Sequence, residues 1–464
     1  MDIWYDVTGL TGWTEPFLTG IQRTTVGLLD GLLAHGVGVR LTAFDVRQRR
    51  FVAVGRDALP AVARGLPEGI AAVPDAAAAQ ATHDRATHAR RRRVRDALFG
   101  TTPAARELRG AFRTWRRASS DLAAGGRRWL RTRLSNRGPA SATNPAAPVA
   151  IGNGPFAPGD TLLSMGCTWA TAGHAEAVAR GRARGVHVVR MIYDLIPAIK
   201  PQWVIPALCS DFVHWARGVL TESDHVLTIS EFSRREILRY CDECGFAVPP
   251  ITVVRLGDVI DAAEGGEPPP LPRFVPTRPF FVCVSTLDVR KNHRLLYQAW
   301  SRMAEADPDA CPDLVCIGSM NLLVADLLHE MRHDRMVNGR IHLLSDVPDS
   351  ELAWYYAACT ATIYPSRYEG WGLPVAESLG RGKLCLASNA TSIPEIDGDL
   401  PVFFDPHDPG ALAGLVRRAL DEPAWVRDRE RAIRASFVPT PWSHTAGQML
   451  AAARPAPAAI RRSA

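Results

Sequence analysis

Lysine is almost missing from this 464-residue chain. Only Lys200, Lys291 and Lys383 are lysines among 54 basic residues, and the abundance of Ala and Arg matches a GC-rich genome. Long apolar runs are missing too: none reaches the roughly 18 residues that cross a bilayer, which argues against an integral membrane protein. The opening MDIWYDVTGL has neither a basic start nor an apolar stretch behind it, so no secretory signal is expected. Cysteine pairing signals are absent. The nine cysteines are scattered, mostly inside apolar runs such as FFVCVST and DLVCIGS, as reduced core thiols of a cytoplasmic protein are. Cys241 and Cys244 form one CxxC, but a zinc site needs a second pair and none accompanies it.

What is present is the composition of a globular protein, 47% apolar and 22% charged, in a chain long enough for two domains. Strand signals (IWYDVTGL, VGVRLTAFDV, DTLLSMG, VHVVRMIYDL, HVLTIS, ITVVRLG) alternate with helix signals (TTVGLLDGLLAHG, HAEAVARGRARG, EFSRREILRYC). Residues 261–278, rich in Pro, Gly and acid, read as a linker. A second alternating series follows, from FFVCVSTL through ATIYPS to ALAGLVRRALDE. Such alternation predicts parallel sheets covered on both faces. The expected fold is α/β: two Rossmann-like, doubly wound domains facing across a cleft, with ligands at the carboxyl ends of the strands. The first domain spans 1–262 and the second 276–438, and residues 439–464 form a closing helix that packs back on the first.

Charge is concentrated. Residues 81–140 carry 16 arginines and four acids, a net of +12 in a chain whose total is +6. The segment at about 75–150 interrupts the alternation and reads as an insertion. Attraction to an anionic membrane surface is one use for it, which would place the protein at the inner face of the membrane. A solvated basic insertion is the plain alternative.

The richest stretch is RYEGWGLPVAES, residues 367–378. It follows a strand that ends at Ser366. Gly370 and Gly372 let a ligand approach the backbone, and Pro374 suits the first helical position. The helix start aims N–H groups and a positive dipole end at the loop, an anion site most naturally filled by phosphate. Glu369 lies in the loop and Glu377 is expected in the first helical turn, so the two can accept hydrogen bonds from hydroxyls on both sides of one ligand. Phosphate flanked by hydroxyls describes a nucleotide sugar. Arg290 and Lys291, at another strand end of the same domain, supply cations for a leaving diphosphate.

These features resemble the retaining glycosyltransferases of family 4, with the GT-B fold. EGWGLPVAE looks like that family's E-x7-E signature and STLDVRKNHRLL like its GTLEPRKNHxxLL segment; SIPEI and FVPTPWSHTA follow in order. TGIQRTTVGLL, MIYDLIPAIKP, LTISEFSRREI and VVRLGD resemble the branch that builds bacterial polysaccharides. The resemblance implies that Glu369 contacts the transferred sugar, Glu377 the ribose, and Arg290 and Lys291 the diphosphate, helped by the backbone of Gly370, Trp371, Gly372 and Leu373. Val347 sits where the family's backbone reads the base. Gly20, Arg23, Tyr193 and Asp194 fall on the acceptor side. Two positions depart from the pattern: Ser285-Thr286 replaces a frequent Gly-Arg, leaving Thr286 as the donor-side contact, and Tyr193 stands where many members carry His.

The implied activity is transfer of a hexose from a nucleotide sugar, first mannose from GDP-mannose, to a glycan or lipid-diphosphate-linked acceptor. No metal or other cofactor is expected, and DPD at 307–309 and DGD at 397–399 read as loop turns. A UDP-sugar 2-epimerase shares the architecture; transfer to an added acceptor separates the two. A nucleic-acid-binding function has only the Arg-rich segment behind it, without a recognisable module.

Overall fold

The structure, a computed structural model, describes residues 2–11, 13, 18, 20–60, 63, 154–259 and 271–454. All of them belong to one compact unit. The Arg-rich segment and residues 261–270 of the expected linker lie outside the described residues.

Two sheets organise the chain. The first has seven strands: β1 (Ile3–Asp6), β2 (Val39–Asp45), β3 (Arg50–Val54), β4 (Thr161–Ser164), β5 (His187–Met191), β6 (His225–Thr228) and β7 (Ile251–Val253). Their order is β3-β2-β1-β4-β5-β6-β7. The second contains β8 (Phe280–Val284), β9 (Asp313–Ile317), β10 (Ile341–Leu344), β11 (Ala361–Tyr364), β12 (Cys385–Ser388) and β13 (Val402–Phe404), ordered β10-β9-β8-β11-β12-β13. All pairings are parallel except β2 with β3. Strands β9, β11 and β12 are buried at every residue, which is why their sequences run apolar without alternating. In each sheet the strand order reverses beside the first strand, between β1 and β4 and between β8 and β11. Those switch points are where doubly wound sheets bind ligands.

Three elements escape the sequence pattern. Strand β3 turns back along β2 with no Gly, Pro or Asn between them. Instead Asp45 accepts the N–H groups of Arg47 (2.8 Å) and Gln48 (3.0 Å), and Arg49 takes a left-handed φ of 51°. The Pro206–Glu222 helix buries Phe212, Trp215, Ala216, Val219 and Leu220, a helical spacing unread in the sequence. The Pro423–Ser436 helix is rich in charged residues and buries only Val426 and Ile433, seven residues apart on one face.

The closing helix spans Trp442–Ala453. Its Trp442 ring fills the space a side chain on Gly27 or Gly257 would need, and Thr445 Oγ1 donates to Arg255 O at 2.7 Å. It thereby lies against the Gly20–Ala34 helix and beside β6, with Ala446 and Met449 in the same apolar core as Leu29, Leu32 and Leu227.

Candidate active site

The end of β8 leads into Ser285–Asn292, and the end of β11 into Pro365–Gly372. Because β8 and β11 are neighbours, these loops meet. Asn292, with φ 61°, fastens them: its Nδ2 donates to Pro365 O (3.0 Å) and Pro406 O (2.8 Å). Asp288 holds the other end, accepting from Arg290 N (3.2 Å) and Asn321 Nδ2 (2.8 Å).

Between the loops lies Glu369, 5% exposed. Arg290 Nη1 donates to one carboxylate oxygen at 2.6 Å, and Lys291 Nζ stands 2.6 Å from the other. Lys291 also donates to Tyr364 Oη at 2.7 Å. Burial alone would raise the Glu369 carboxyl, but Arg290 and then Lys291 outweigh it and hold its pKa at about 2. Burial, with the neighbouring Arg290 charge, lowers Lys291 against the pull of Glu369. A half-buried Arg290 and a buried Lys291 therefore share one pinned carboxylate, two cations against one anion where a further anion could arrive.

The helix that follows begins at Leu373, not Pro374; Pro374 is its second residue and Glu377 its fifth, just beyond the first turn. The chain turns in at Gly372, whose φ of 124° only glycine takes without strain. No side chain caps this helix, and Val375 N–H turns back on Gly372 O at 2.9 Å. Glu377, 5% exposed, accepts from Arg23 Nη1 at 2.5 Å and from Tyr356 Oη at 3.2 Å. Arg23 comes from the first turn of the Gly20–Ala34 helix, so the two sheets' elements meet here.

Comparison with known proteins bears on this site. Residues 272–437, which hold both loops, match the family profile described as Glycosyl transferases group 1. These residues form a glycosyltransferase group 1 domain. Curated relatives of the chain include an O-antigen chain mannosyltransferase B of Escherichia coli, 29% identical over 201 residues, 43% of this chain and 52% of the relative. Another is an MMP alpha-(1->4)-mannosyltransferase of Mycolicibacterium hassiacum, 28% identical over 251 residues, 52% of this chain and 56% of the relative. The chain thus spans about half the length of these relatives. A sucrose-phosphate synthase structure from Thermosynechococcus elongatus superposes with a TM-score of 0.55 over 97% of each chain at 15% identity. The fold is GT-B.

Around the group 1 domain's loops the remaining expected residues fall as follows. Gly370 abuts the end of β5, where a β-carbon would come 2.8 Å from Tyr193 O and 3.1 Å from Asp194 Cβ. Tyr193 Oη donates to Met165 O at 2.7 Å. Burial raises the Asp194 carboxyl against the pull of Arg290, and Glu369 adds to the rise. Trp371 is buried beneath the Arg255 guanidinium, 5.4 Å from its ring centre. Val347 is half-buried against an apolar cluster beyond β10, and Thr286 is exposed with its hydroxyl 3.4 Å from Ser319 Oγ. Gly20 opens its helix, and a β-carbon there would meet nothing within 4 Å. The DPD and DGD carboxylates end turns: Asp307 Oδ1 accepts from Asp309 N (3.0 Å), and Asp397 Oδ1 from Asp399 N (3.0 Å) and Leu400 N (2.9 Å).

Sequence reasoning missed the residues that hold Glu369 in place. Thr391 Oγ1 accepts from Glu369 N at 2.9 Å, and Ser392 Oγ donates to Glu369 O (2.9 Å) and Trp371 O (3.1 Å). The SIPEI segment that contains Ser392 matched the family in order, and that was the available signal.

Proposed function

We propose that the protein is a retaining glycosyltransferase that moves a hexose, first mannose from GDP-mannose, from a nucleotide sugar to a glycan or lipid-linked acceptor. The observation that carries this reading is the Glu369 carboxylate buried between Arg290 and Lys291 at the β8/β11 switch point. A nucleotide sugar laid along the Gly370–Leu373 turn brings its diphosphate to the two cations and its ribose hydroxyls to Glu377. Arrival of that negative charge stabilises the Lys291 ammonium, which burial and Arg290 otherwise disfavour.

As the anomeric bond breaks, charge grows on the diphosphate. Arg290, Lys291 and the helix start are held in a largely buried site, where such charges act more strongly than in water and need little rearrangement. Glu369 keeps its charge throughout the physiological range, so it accepts hydrogen bonds from the sugar's hydroxyls and does not act as an acid. The departing diphosphate oxygen takes the proton of the acceptor hydroxyl on the same face, so the configuration is retained. These cations and the helix start do for the leaving group what a divalent ion would do, and no metal is required. Mannose as the transferred sugar rests on the mannosyltransferase relatives and the polysaccharide-type motifs. Association of the Arg-rich segment with anionic lipid belongs to the same proposal, and vesicle co-sedimentation that weakens as salt rises tests it.

A thermal-shift screen over nucleotides and nucleotide sugars, followed by transfer assays with added acceptors, tests the function. A true donor at 100 times its Kd stabilises the fold by about 2.7 kcal/mol. Stabilisation by no nucleotide, or donor consumption that yields only an epimer, would overturn the reading.

A further inference from the structure

Glu395 touches neither Arg290, Lys291 nor the turn at Gly372, yet it closes a ring of contacts around them. The ring begins at Thr391 and Ser392, which grip the backbone of Glu369 and Trp371 as described. Three residues further on, the Glu395 carboxylate reaches the Glu231–Cys244 helix of the first sheet. Oε2 accepts from Glu231 N and Oε1 from Phe232 N, both at 2.7 Å. Ser230 Oγ, the ordinary cap of that helix, accepts the N–H of Ser233 at 3.0 Å and donates to Ser233 Oγ at 3.0 Å, leaving the N–H groups of Glu231 and Phe232 to another acceptor. A helix start needs acceptors for its first N–H groups, and they normally come from the residues just before it. Here two of them come from the other half of the molecule, as a carboxylate that also suits the helix dipole.

The ring continues from that helix. Ser233 Oγ donates to Tyr193 O at 3.1 Å, and the same carbonyl lies against Gly370, next to Glu369. Arg255 ties the far end of the segment, donating from Nη2 to Ile396 O at 3.1 Å. Each hydrogen bond is short, and among the described residues Glu395 accepts the two that join the 391–396 segment to the 231–244 helix; Arg235 of that helix adds an ion pair to the same carboxylate at 3.9 Å.

We infer that Glu395 is a positioning residue: it holds the Tyr193–Asp194 turn against the Glu369 loop and so decides whether the transferred sugar goes to the acceptor or to water. The inference rests on the transferase reading above. In either outcome the anomeric C–O bond to the diphosphate breaks, and the diphosphate leaves with the electron pair. The incoming hydroxyl forms the new C–O bond and gives its proton to the diphosphate. An acceptor hydroxyl gives a glycoside; water gives free sugar. Without Glu395 the helix start turns to solvent, the β5 turn recedes from Gly370, and water enters. The nucleotide contacts stay intact.

The test uses full-length Glu395→Ala and Glu395→Gln with GDP-mannose, with and without a short α-mannoside, measuring free mannose against glycoside; GDP affinity is measured by calorimetry. Loss of two charge-assisted hydrogen bonds predicts that Glu395→Ala transfers roughly tenfold more slowly and that the free-to-transferred mannose ratio rises about tenfold. GDP affinity is expected unchanged. Glu395→Gln, which keeps one acceptor oxygen, falls between and serves where the alanine variant does not fold. A fall in both products at constant ratio, or a wild-type ratio in both variants, overturns the inference while leaving the transferase reading standing. A wild type that releases no sugar from any nucleotide donor overturns both.

Discussion

Replacing Glu369 by Gln changes almost no volume and removes one buried charge, so its effect on stability can be worked from the site. The carboxyl's pKa falls from 4.5 to about 2 in the folded protein, which is worth about 3 kcal/mol at neutral pH. Because the folded value lies below the unfolded one, this contribution is whole above about pH 4.5 and fades as pH drops towards about 2. Removing one partner of a buried ion pair costs about 3–5 kcal/mol, a consistent figure. Lys291, whose pKa is already lowered by burial and by Arg290, can release its proton in the variant and soften the loss, so about 3 kcal/mol is an upper value. Urea unfolding at pH 7 should show Glu369→Gln less stable by up to that amount. Repeated at falling pH, the gap between variant and wild type should shrink below about pH 4.5. Equal stability at pH 7, or a gap that persists unchanged in acid, would refute the claim that the two cations hold this carboxylate in the folded state.

Other expectations concern binding and turnover. Glu369→Ala should cut turnover sharply, whereas Glu377→Ala should mainly weaken nucleotide binding; two variants with wild-type activity would sink the site assignment. Arg23 occupies the Glu377 carboxylate that ribose is proposed to use, so Arg23→Ala should tighten GDP binding several-fold by calorimetry, about 1 kcal/mol; weaker binding would make Arg23 a nucleotide contact instead. Activity should survive EDTA, and loss with recovery on adding Mg²⁺ or Mn²⁺ would overturn the proposed leaving-group chemistry.

Much of the architecture could be read from the sequence, because fully buried parallel strands announce themselves as short, largely apolar runs such as DLVCI and ATIY. The loops at their ends were equally legible, since Gly370, Gly372, Arg290 and Lys291 are residue types with few other uses together. What could not be read depends on distant partners. Strand β3 hides because the residue that makes its turn, Asp45, is the last residue of β2, while the four residues between the strands carry no Gly, Pro or Asn. Arg23 meeting Glu377, and Glu395 meeting the start of a helix 164 residues away, are juxtapositions that only the packing of the two sheets creates. The position of Glu377 slipped by one residue because Gly372, by its positive φ, starts the helix at Leu373 and leaves Pro374 second.

The most direct test of the central claim is the configuration of the product. GDP-α-mannose and an acceptor sugar should be incubated with the protein, and the new anomeric centre read by NMR. The account predicts an α-linked mannoside formed by wild type and nearly lost in Glu369→Ala. A β-linked product, or an α-linked one formed equally well by the variant, would contradict it.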